Sequence, residues 1–150
     1  EIIIEQYISG YEITNLIIGN PGDYRFNEVI LTSIYNKIVF THEVLGLREK
    51  SQKLRKQYAA NKFLDATLCS KIQEISRRIF EHIGARDIAR IDYRVTLSGE
   101  IYFLEINSVP RVSSTSECAI ICTKYNIPFK KVLFEYMDTI CKRLSNHEKK

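Results

Sequence analysis

Residues 90–107 have the pattern of a β-hairpin, and this pattern constrains the fold of the chain more than any other. Two stretches of alternating side chains flank Ser98-Gly99, a pair typical of a two-residue turn. Counting outward from such a turn on both strands gives the cross-strand neighbours. The predicted pairs are Leu97 with Glu100, Asp92 with Glu105, and Arg90 with Asn107.

Side-chain alternation divides this hairpin into an apolar face and a polar face. The apolar face, which we expect to enter a core, carries Ile91, Tyr93, Val95, Tyr102, Leu104 and Ile106. The polar face carries Arg90, Asp92, Phe103, Glu105 and Asn107. The acids of the hairpin therefore lie on the face that the core does not use.

Asp92 and Glu105 face each other on the polar face of the hairpin. Like charges directly opposite on a sheet repel, so this pair requires a cation beside it. Two carboxylates and the amide oxygen of Asn107 are hard ligands that suit Mg²⁺ or Mn²⁺ rather than zinc. The alternative is that Arg90 or Arg94 forms salt bridges with these acids on a solvated face.

The stretch after Asn107 predicts a turn at Pro110 and then a short helix over residues 114–124. Ser114 and Glu117 have the spacing of a capping box at the start of that helix. A helix N-terminus presents N–H donors and partial positive charge, so an anion site is expected just beyond the metal ligands. Together these features favour phosphate or carboxylate chemistry.

Three motifs of the chain resemble those of one enzyme family. The chain reads A-R-I-D-Y-R at 89–94, F-L-E-I-N-S-V-P at 103–110 and I-I-E-Q-Y-I-S-G-Y-E-I at 3–13. Their order and spacing are similar to A-R-[VI]-D, L-E-[VI]-N-[TS]-x-P-G and V-E-x-[FY]-I-x-G-x-E of the ATP-grasp enzymes closest to D-alanine:D-alanine ligase. The resemblance covers nearly all of the chain and implies an ATP-dependent ligase of peptidoglycan biosynthesis.

The resemblance also implies roles for individual residues. Asp92, Glu105 and Asn107 would hold the Mg²⁺ ions that bridge the nucleotide phosphates. Arg90 would stabilise negative charge on the transferring phosphoryl group and on the tetrahedral intermediate. Ser116 would bind the carboxylate of the second substrate. The expected nucleotide contacts are backbone groups near Glu5, Gln6 and Ile8 for adenine, and Glu12 for the ribose hydroxyls.

Two places depart from the family pattern. Arg111 stands where the family has glycine, so either the loop sits differently or its guanidinium enters the site, which leaves substrate identity open. Residues 40–51 occupy the place of the family's mobile loop. His42 in that loop faintly resembles the vancomycin-resistance branch, although a loop histidine without a role is favoured. The candidates for a phosphate-contacting lysine are first Lys50, and then Lys37 and Lys53.

The remaining pattern predicts one α/β domain of the α+β type over residues 1–150. The resemblance implies that this domain is the carboxy-terminal lobe of an ATP-grasp enzyme, with a mainly antiparallel sheet and flanking helices. The predicted strands are 1–8, 11–19, 26–35 and 37–42, with a turn at Pro21-Gly22-Asp23 and a polar stretch to about 62. One helix is predicted at 66–83, with Gly84 as its stop signal, and another is predicted from Pro128 to about 144. Their expected core residues are Leu68, Ile72, Ile75, Ile79, Ile83, Leu133, Met137, Ile140 and Leu144.

Composition narrows the function classes. A chain of 150 residues, 45% hydrophobic, can bury a core, while a scattered net charge of +4 does not favour nucleic acid. The four cysteines form no C-x-x-C pair and no membrane span is visible, so a cytoplasmic protein with reduced thiols is expected. The expected partners are ATP, small carboxylate or amino-acid substrates and the amino-terminal part of the enzyme, and a homodimer is left open.

Nothing in the chain resembles the amino-terminal substrate domain or the phosphate-loop lobe of such a ligase, and Glu1 falls within an expected strand. We therefore expect the carboxy-terminal part of a ligase that is inactive alone, whether an engineered truncation, a natural fragment or one piece of a larger enzyme. The leading hypothesis is an ATP-dependent carboxylate–amine ligase with an acylphosphate intermediate. The alternatives are a nucleotide-binding module without catalysis and a metal-dependent phosphohydrolase that uses the same acids.

Overall fold

The computed structural model of the protein describes residues 2, 5–41 and 55–147, with side chains as far as residue 145. In these residues six strands form one sheet: β1 (Gly10–Asn20), β2 (Asp23–Ile34), β3 (Val39–Phe40), β4 (Arg55–Ala59), β5 (Ile88–Val95) and β6 (Ile101–Asn107). The helices are α1 (Ala66–His82), α2 (Cys118–Tyr125) and α3 (Phe129–His147), with a 3₁₀ turn at Ala60–Lys62.

The strand order is β4-β2-β1-β5-β6, and β3 pairs with the start of β1. All of these pairings are antiparallel. The predicted α+β class with a mainly antiparallel sheet is confirmed. The predicted turn at Pro21-Gly22-Asp23 is also confirmed, since it joins β1 to β2.

Both faces of the sheet carry a core, and alternation along β1 assigns its side chains to the two. Ile13 and Ile17 pack with α1, whereas Leu16 and Ile18 pack with α2 and α3. The buried residues of the second core are Leu16, Ile18, Ile30, Ile88, Cys118, Ile121 and Val132. Helices on both sides of the sheet therefore hold its centre in place.

Helix α1 begins and ends as predicted. The Asp65 carboxylate accepts the N–H of Leu68 at 2.8 Å, which satisfies one of the free donors at the helix start. Gly84 follows the last turn with φ of +69°. Of the predicted core stripe, Ile72 is fully buried, whereas Ile83 is 51% exposed. The expectation that Ile83 enters the core is wrong, because this residue is the C-cap that follows the last residue of the helix. The other members, Leu68, Ile75 and Ile79, are partly buried against that core.

The hairpin has the predicted pairing at its acids but not at its turn. Asp92 pairs with Glu105 and Arg90 with Asn107. Thr96 N–H bonds to the carbonyl of Glu100 at 3.0 Å, so the loop has three residues and the predicted Leu97–Glu100 pair is wrong. This loop consists of Leu97, Ser98 and Gly99. A bulge between the Asp92 and Tyr93 pairs then restores the expected register.

The bulge also changes which side chains of β6 are buried. The structure pairs Tyr93 with Phe103 and leaves Leu104 as the extra residue. Tyr102 is 39% exposed and Leu104 48% exposed, so the prediction that both enter the core is wrong. The remaining core predictions hold on β5, where Ile91, Tyr93 and Val95 are fully buried.

Helices α2 and α3 differ from the predictions in start and in face. Helix α2 begins at Cys118, and Glu117 makes no capping bond, so the predicted capping box from Ser114 is wrong. Helix α3 begins after Pro128, close to its predicted start. Its buried positions are Val132 and Thr139. Leu133, Met137 and Leu144, which were expected to face inward, are 40%, 48% and 51% exposed, because the helix is rotated by about one position from the predicted stripe.

The strand predictions differ from the sheet in three places. The described part of residues 1–8 contains no strand, because pairing of β1 begins at Gly10. The polar stretch predicted to reach residue 62 includes β4, which pairs with the end of β2. The predicted strand at 37–42 is reduced to β3. His42, Lys50 and Lys53 lie outside the described residues.

Candidate functional site

One half of a sheet face is lined by polar side chains and opens into a cleft of about 780 Å³. We call this half the open face, defined by Glu12, Thr14, Thr32, Arg90, Asp92 and Arg94. The other half, which we call the covered face, is defined by Leu16, Ile18, Ile30 and Ile88, packed under α2 and α3. Every second residue of a strand lies on the same side of the sheet. The covered face and the open face are therefore two halves of one side of the sheet, and they follow one another along β1 and β5.

Arg90, Asp92 and Thr14 form the centre of the open face. Arg90 donates to both carboxylate oxygens of Asp92, from Nε at 3.1 Å and from Nη2 at 2.8 Å. The Thr14 hydroxyl, on the neighbouring strand, donates to Asp92 Oδ1 at 2.9 Å. Burial would lower the pKa of Arg90, but Asp92 and the nearby acids raise it, so the guanidinium remains charged. The salt bridge considered as the alternative to a metal is thus present.

Glu105 and Asn107 complete the acidic end of this cluster. Glu105 Oε1 lies 3.7 Å from Arg90 Nη2, and the Glu105 side chain is 66% exposed. Asn107 is opposite Arg90, and its amide oxygen accepts the N–H of Val109 at 2.9 Å. Among the described residues, no group of three or more His, Cys, Asp and Glu side chains is arranged to hold a metal.

Magnesium nevertheless fits the donor set at this position. Asp92 and Glu105 are cross-strand neighbours, and Asn107 follows two residues after Glu105 on the same strand. Mg²⁺ is usually bound through one or two carboxylates and keeps several waters, so it does not need a cluster of three acids. The exposure of Glu105 leaves one carboxylate open to such an ion.

Glu12 enters the cleft near the start of β1. Two residues before it, Gly10 has φ of +148°, and a side chain there would come within 2.1 Å of the Val95 carbonyl oxygen. Only glycine allows β1 to approach β5 this closely. The close approach places Glu12 directly opposite Arg94, and the two side chains form an ion pair of 3.1 Å.

The cleft also has an apolar wall and an edge formed by the segment before β1. Tyr102, Phe103 and Leu104 of β6 line the cleft, and each is between 39% and 49% exposed. The bulge explains why three consecutive side chains reach the same opening. Glu5, Gln6 and Ile8, from the segment before β1, line the cleft as well.

The loop between β6 and α2 is tied to the sheet edge by Glu117. Its carboxylate accepts from Arg55 Nη2 and from Gln57 Nε2, both at 3.0 Å. Burial would raise the pKa of the Glu117 carboxyl, but hydrogen bonds from Gln57 and the charges of Arg55 and Arg90 hold it below its usual range. Ser116 is 8% exposed and donates to the Ser113 carbonyl at 2.9 Å.

The structure brings together most of the predicted site residues. Those lining the cleft are Glu5, Gln6, Ile8, Glu12, Arg90, Asp92 and Glu105. Asn107 and Ser116 do not line it, although Asn107 is opposite Arg90 and Ser116 adjoins Glu117. Lys50 lies outside the described residues, and Lys37 is exposed in the turn after β2.

Arg111 does not behave as the family glycine would. Its φ is not positive, and its guanidinium lies 3.5 Å from the Thr115 hydroxyl rather than among the cleft residues. The loop therefore follows an ordinary backbone path at this position.

Sequence reasoning missed several cleft residues. They are Thr14, Thr32, Arg55, Arg94, Tyr102, Phe103 and Leu104. In the sequence of β1 the polar residues Glu12 and Thr14 alternate with the apolar residues Tyr11 and Ile13, and this alternation was the available signal. The pairing of β1 with β5, which brings Thr14 to Asp92, spans 78 residues and has no local signature.

A family model described as "D-ala D-ala ligase C-terminus" matches residues 1–138. The chain belongs to this family. The expectation from its motifs, an ATP-grasp chain similar to D-alanine:D-alanine ligases, is thereby confirmed.

Two relatives of this D-Ala–D-Ala ligase family member show how much of a longer protein the chain matches. The D-alanine–D-alanine ligase of Aquifex aeolicus (strain VF5) is 30% identical over 132 residues, which cover 88% of this chain and 41% of the relative. The vancomycin C-type resistance protein VanC2 of Enterococcus casseliflavus is 24% identical, over 88% of this chain and 36% of its own length. The chain therefore spans about two fifths of the curated relatives that it matches.

A solved structure supports the fold assignment. The D-alanine–D-alanine ligase from Bacillus anthracis, in complex with ATP, superposes with a TM-score of 0.64 at 22% identity. The match covers 95% of this chain and 40% of the ligase. Within the described residues, no helix is both long enough and apolar enough to cross a membrane.

Proposed function

We propose that this chain is the carboxy-terminal, ATP- and Mg²⁺-binding part of an ATP-dependent ligase that joins a carboxylate to an amine. One observation carries the proposal: the family motifs, distant in sequence, line a single cleft on the open face. The cleft combines three arginines, four acids and an apolar wall, a combination suited to a nucleotide with its metal.

The nucleotide would lie across β1 and β6. We propose that Glu12 accepts hydrogen bonds from the ribose hydroxyls and that backbone groups of Glu5, Gln6 and Ile8 meet the adenine edge. The exposed side chains of Tyr102 and Leu104 supply an apolar surface for a planar base. The structure of a D-alanine–D-alanine ligase from Bacillus anthracis in complex with ATP supports nucleotide binding by this fold.

Asp92, Glu105 and Asn107 would hold Mg²⁺, or Mn²⁺ in its place. Such an ion neutralises charge on the nucleotide phosphates. In the structure Asp92 is bound by Arg90, so the carboxylate would be shared between the guanidinium and the ion. Lys50, outside the described residues, stays the proposed phosphate-contacting lysine.

Arg90 would act during both chemical steps of the proposed reaction. In the first, a substrate carboxylate oxygen bonds to the γ-phosphorus of ATP, and ADP leaves with the electron pair of the broken bond. In the second, an amine bonds to the acyl carbon, loses a proton, and inorganic phosphate leaves. Arg90, a fixed cation at the edge of the acids, would stabilise the negative charge that develops in each step.

Ser116 would bind the carboxylate of the second substrate at the start of α2. Its hydroxyl donates to Ser113 in this structure, so it would have to exchange that bond for the substrate. We propose an amino acid of the D-alanine kind as the first substrate and an amino acid or hydroxy acid as the second, since the relatives are named D-alanine–D-alanine ligase and putative D-alanine–D-lactate ligase. The four free cysteines agree with a cytoplasmic location.

A second candidate is a nucleotide-binding module without catalysis, because Asn107 and Ser116, two residues of the proposed chemistry, do not line the cleft. The test measures phosphate release from ATP by this chain alone and by the chain joined to the amino-terminal part of its ligase, over a panel of amino acids. Amino-acid-dependent release from the joined protein supports the ligase. Release without an amino acid indicates a phosphohydrolase, and nucleotide binding without release indicates the module.

A further inference from the structure

Glu12 is held in the cleft by Arg94, which the sequence analysis considered only as a salt-bridge partner of the hairpin acids. The two are direct cross-strand neighbours on β1 and β5. Arg94 Nη2 lies 3.1 Å from Glu12 Oε2, and the side chains are 8% and 17% exposed. A pair this well shielded from water is screened much less than a surface ion pair.

Two aromatic rings restrict the orientation of the Arg94 guanidinium. Its central carbon lies 5.4 Å from the centre of the Tyr7 ring and 5.1 Å from that of Phe40. Tyr7 belongs to the segment before β1 that lines the cleft, and Phe40 is a buried residue of β3. A planar guanidinium packs on such rings in a defined geometry, which a lysine ammonium does not reproduce.

We propose that Arg94 is a positioning residue that fixes Glu12 for the ribose hydroxyls and thereby sets the preference for a ribonucleotide. This inference rests on the proposed nucleotide function. A glutamate that is already held in place loses less conformational freedom when it binds. The charge of Arg94 also compensates that of Glu12, which reduces its repulsion of the nucleotide phosphates.

The test compares ATP with 2′,3′-dideoxy-ATP, which lacks the hydroxyls that Glu12 would bind. Each is titrated with Mg²⁺ into the 150-residue chain by calorimetry, and the ratio of the two dissociation constants is recorded. Hydrogen bonds to a carboxylate predict a ratio of about tenfold or more in the wild type. Because both ligands meet the same sample, misfolded protein lowers the stoichiometry but leaves the ratio unchanged.

Four single variants and one double variant separate positioning from folding. Arg94→Met and Glu12→Gln should each reduce the ratio to less than about threefold, and the double variant should show no further loss. Tyr7→Leu, at a partly exposed position, should reduce it by a smaller factor. Arg77→Met, a matched change at an exposed ion pair on α1, should keep the wild-type ratio.

The outcomes distinguish this inference from the function on which it rests. A wild-type ratio in both Arg94→Met and Tyr7→Leu overturns the positioning role while leaving nucleotide binding intact. Equal affinity for both ligands in the wild type overturns the ribose role of Glu12 and the inference with it. An absence of ATP binding in the wild type overturns the proposed function itself.

Discussion

The covered face and the open face lie on the same strands and the same side of the sheet, yet they carry opposite kinds of side chain. Along β1 the covered face has Leu16 and Ile18, and the open face has Thr14 and Glu12. Along β5 the change occurs between Ile88 and Arg90. Alternation is equally regular in both halves, so the difference comes from what lies above each half.

Helices α2 and α3 account for that difference. Ile121 and Val132 pack on the covered face, where removal of apolar surface from water stabilises the fold. The loop that leads into α2 is fastened to the sheet by Glu117 and Arg55, so the open face begins where the helix cover stops. One half of the face contributes mainly stability, and the other is available for binding.

The largest effect should come from Arg90 in an active ligase that contains this chain. We expect Arg90→Ala to lower turnover by about 10²-fold or more, because it removes a fixed cation where charge develops. Nucleotide affinity should fall much less. Steady-state kinetics on the variant and on the exposed-site control Arg77→Ala measure both effects. Equal losses of turnover and affinity would mean that Arg90 contributes to binding only.

A matched pair of substitutions tests the covered face against the open face. Ile18→Ala should destabilise the protein by about 2 to 5 kcal/mol, because it leaves a cavity under the helices. Thr14→Ala, on the same strand, should destabilise the protein by only about 1 kcal/mol, because its hydrogen bond to Asp92 is lost. Urea unfolding gives both values. Similar losses at the two sites would mean that the open face is as much a part of the core as the covered face.

The acidic pair should respond to magnesium. Because Asp92 and Glu105 would bind the ion only when folded, Mg²⁺ at about tenfold excess over its dissociation constant should raise Tm by roughly 3 to 5 °C. Asp92→Asn combined with Glu105→Gln should abolish this shift without unfolding the protein. Thermal scans with and without Mg²⁺ measure it, and an unchanged shift in the double variant would make the acids ordinary surface residues.

Low pH should weaken the stabilising contribution of Glu117, which lies where the covered face meets the open face. The pKa of Glu117 is lower in the folded protein than in the unfolded chain, so its contribution to stability is present above the unfolded value and disappears as pH falls through the folded value. Glu117→Gln should therefore be less stable than the wild type at pH 7, with a smaller difference near pH 3. Urea titrations at both pH values measure this. A difference that is independent of pH would assign the loss to packing alone.

The sequence predicts the open face better than its surroundings, for physical reasons. Asp92 and Glu105 pair as expected because the longer turn and the bulge at Leu104 shift the register in opposite directions. The same bulge explains why Tyr102 was wrongly assigned to the core, since a prediction from strict alternation does not include an extra residue. The prediction that Gly84 ends helix α1 was correct, because a helix stop is a local signal in the sequence.

Non-local contacts account for the remaining errors. Helix α3 has apolar side chains on more than one side, and its buried face at Val132 is chosen by the sheet below. The strand β4 has little apolar character, and its place depends on pairing with β2. The partnership of Arg94 with Glu12 depends on the β1–β5 pairing, which local periodicity does not specify.

Calorimetric titration of the 150-residue chain with ADP and Mg²⁺ tests most directly whether the open face is a nucleotide site. We predict weak, saturable binding that requires Mg²⁺ and that falls by about tenfold in Glu12→Ala, because a carboxylate to the ribose hydroxyls is lost. The covered-face variant Ile18→Ala, titrated where it remains folded, should keep the wild-type dissociation constant. Absence of binding, or binding that Glu12→Ala leaves unchanged, would contradict the account.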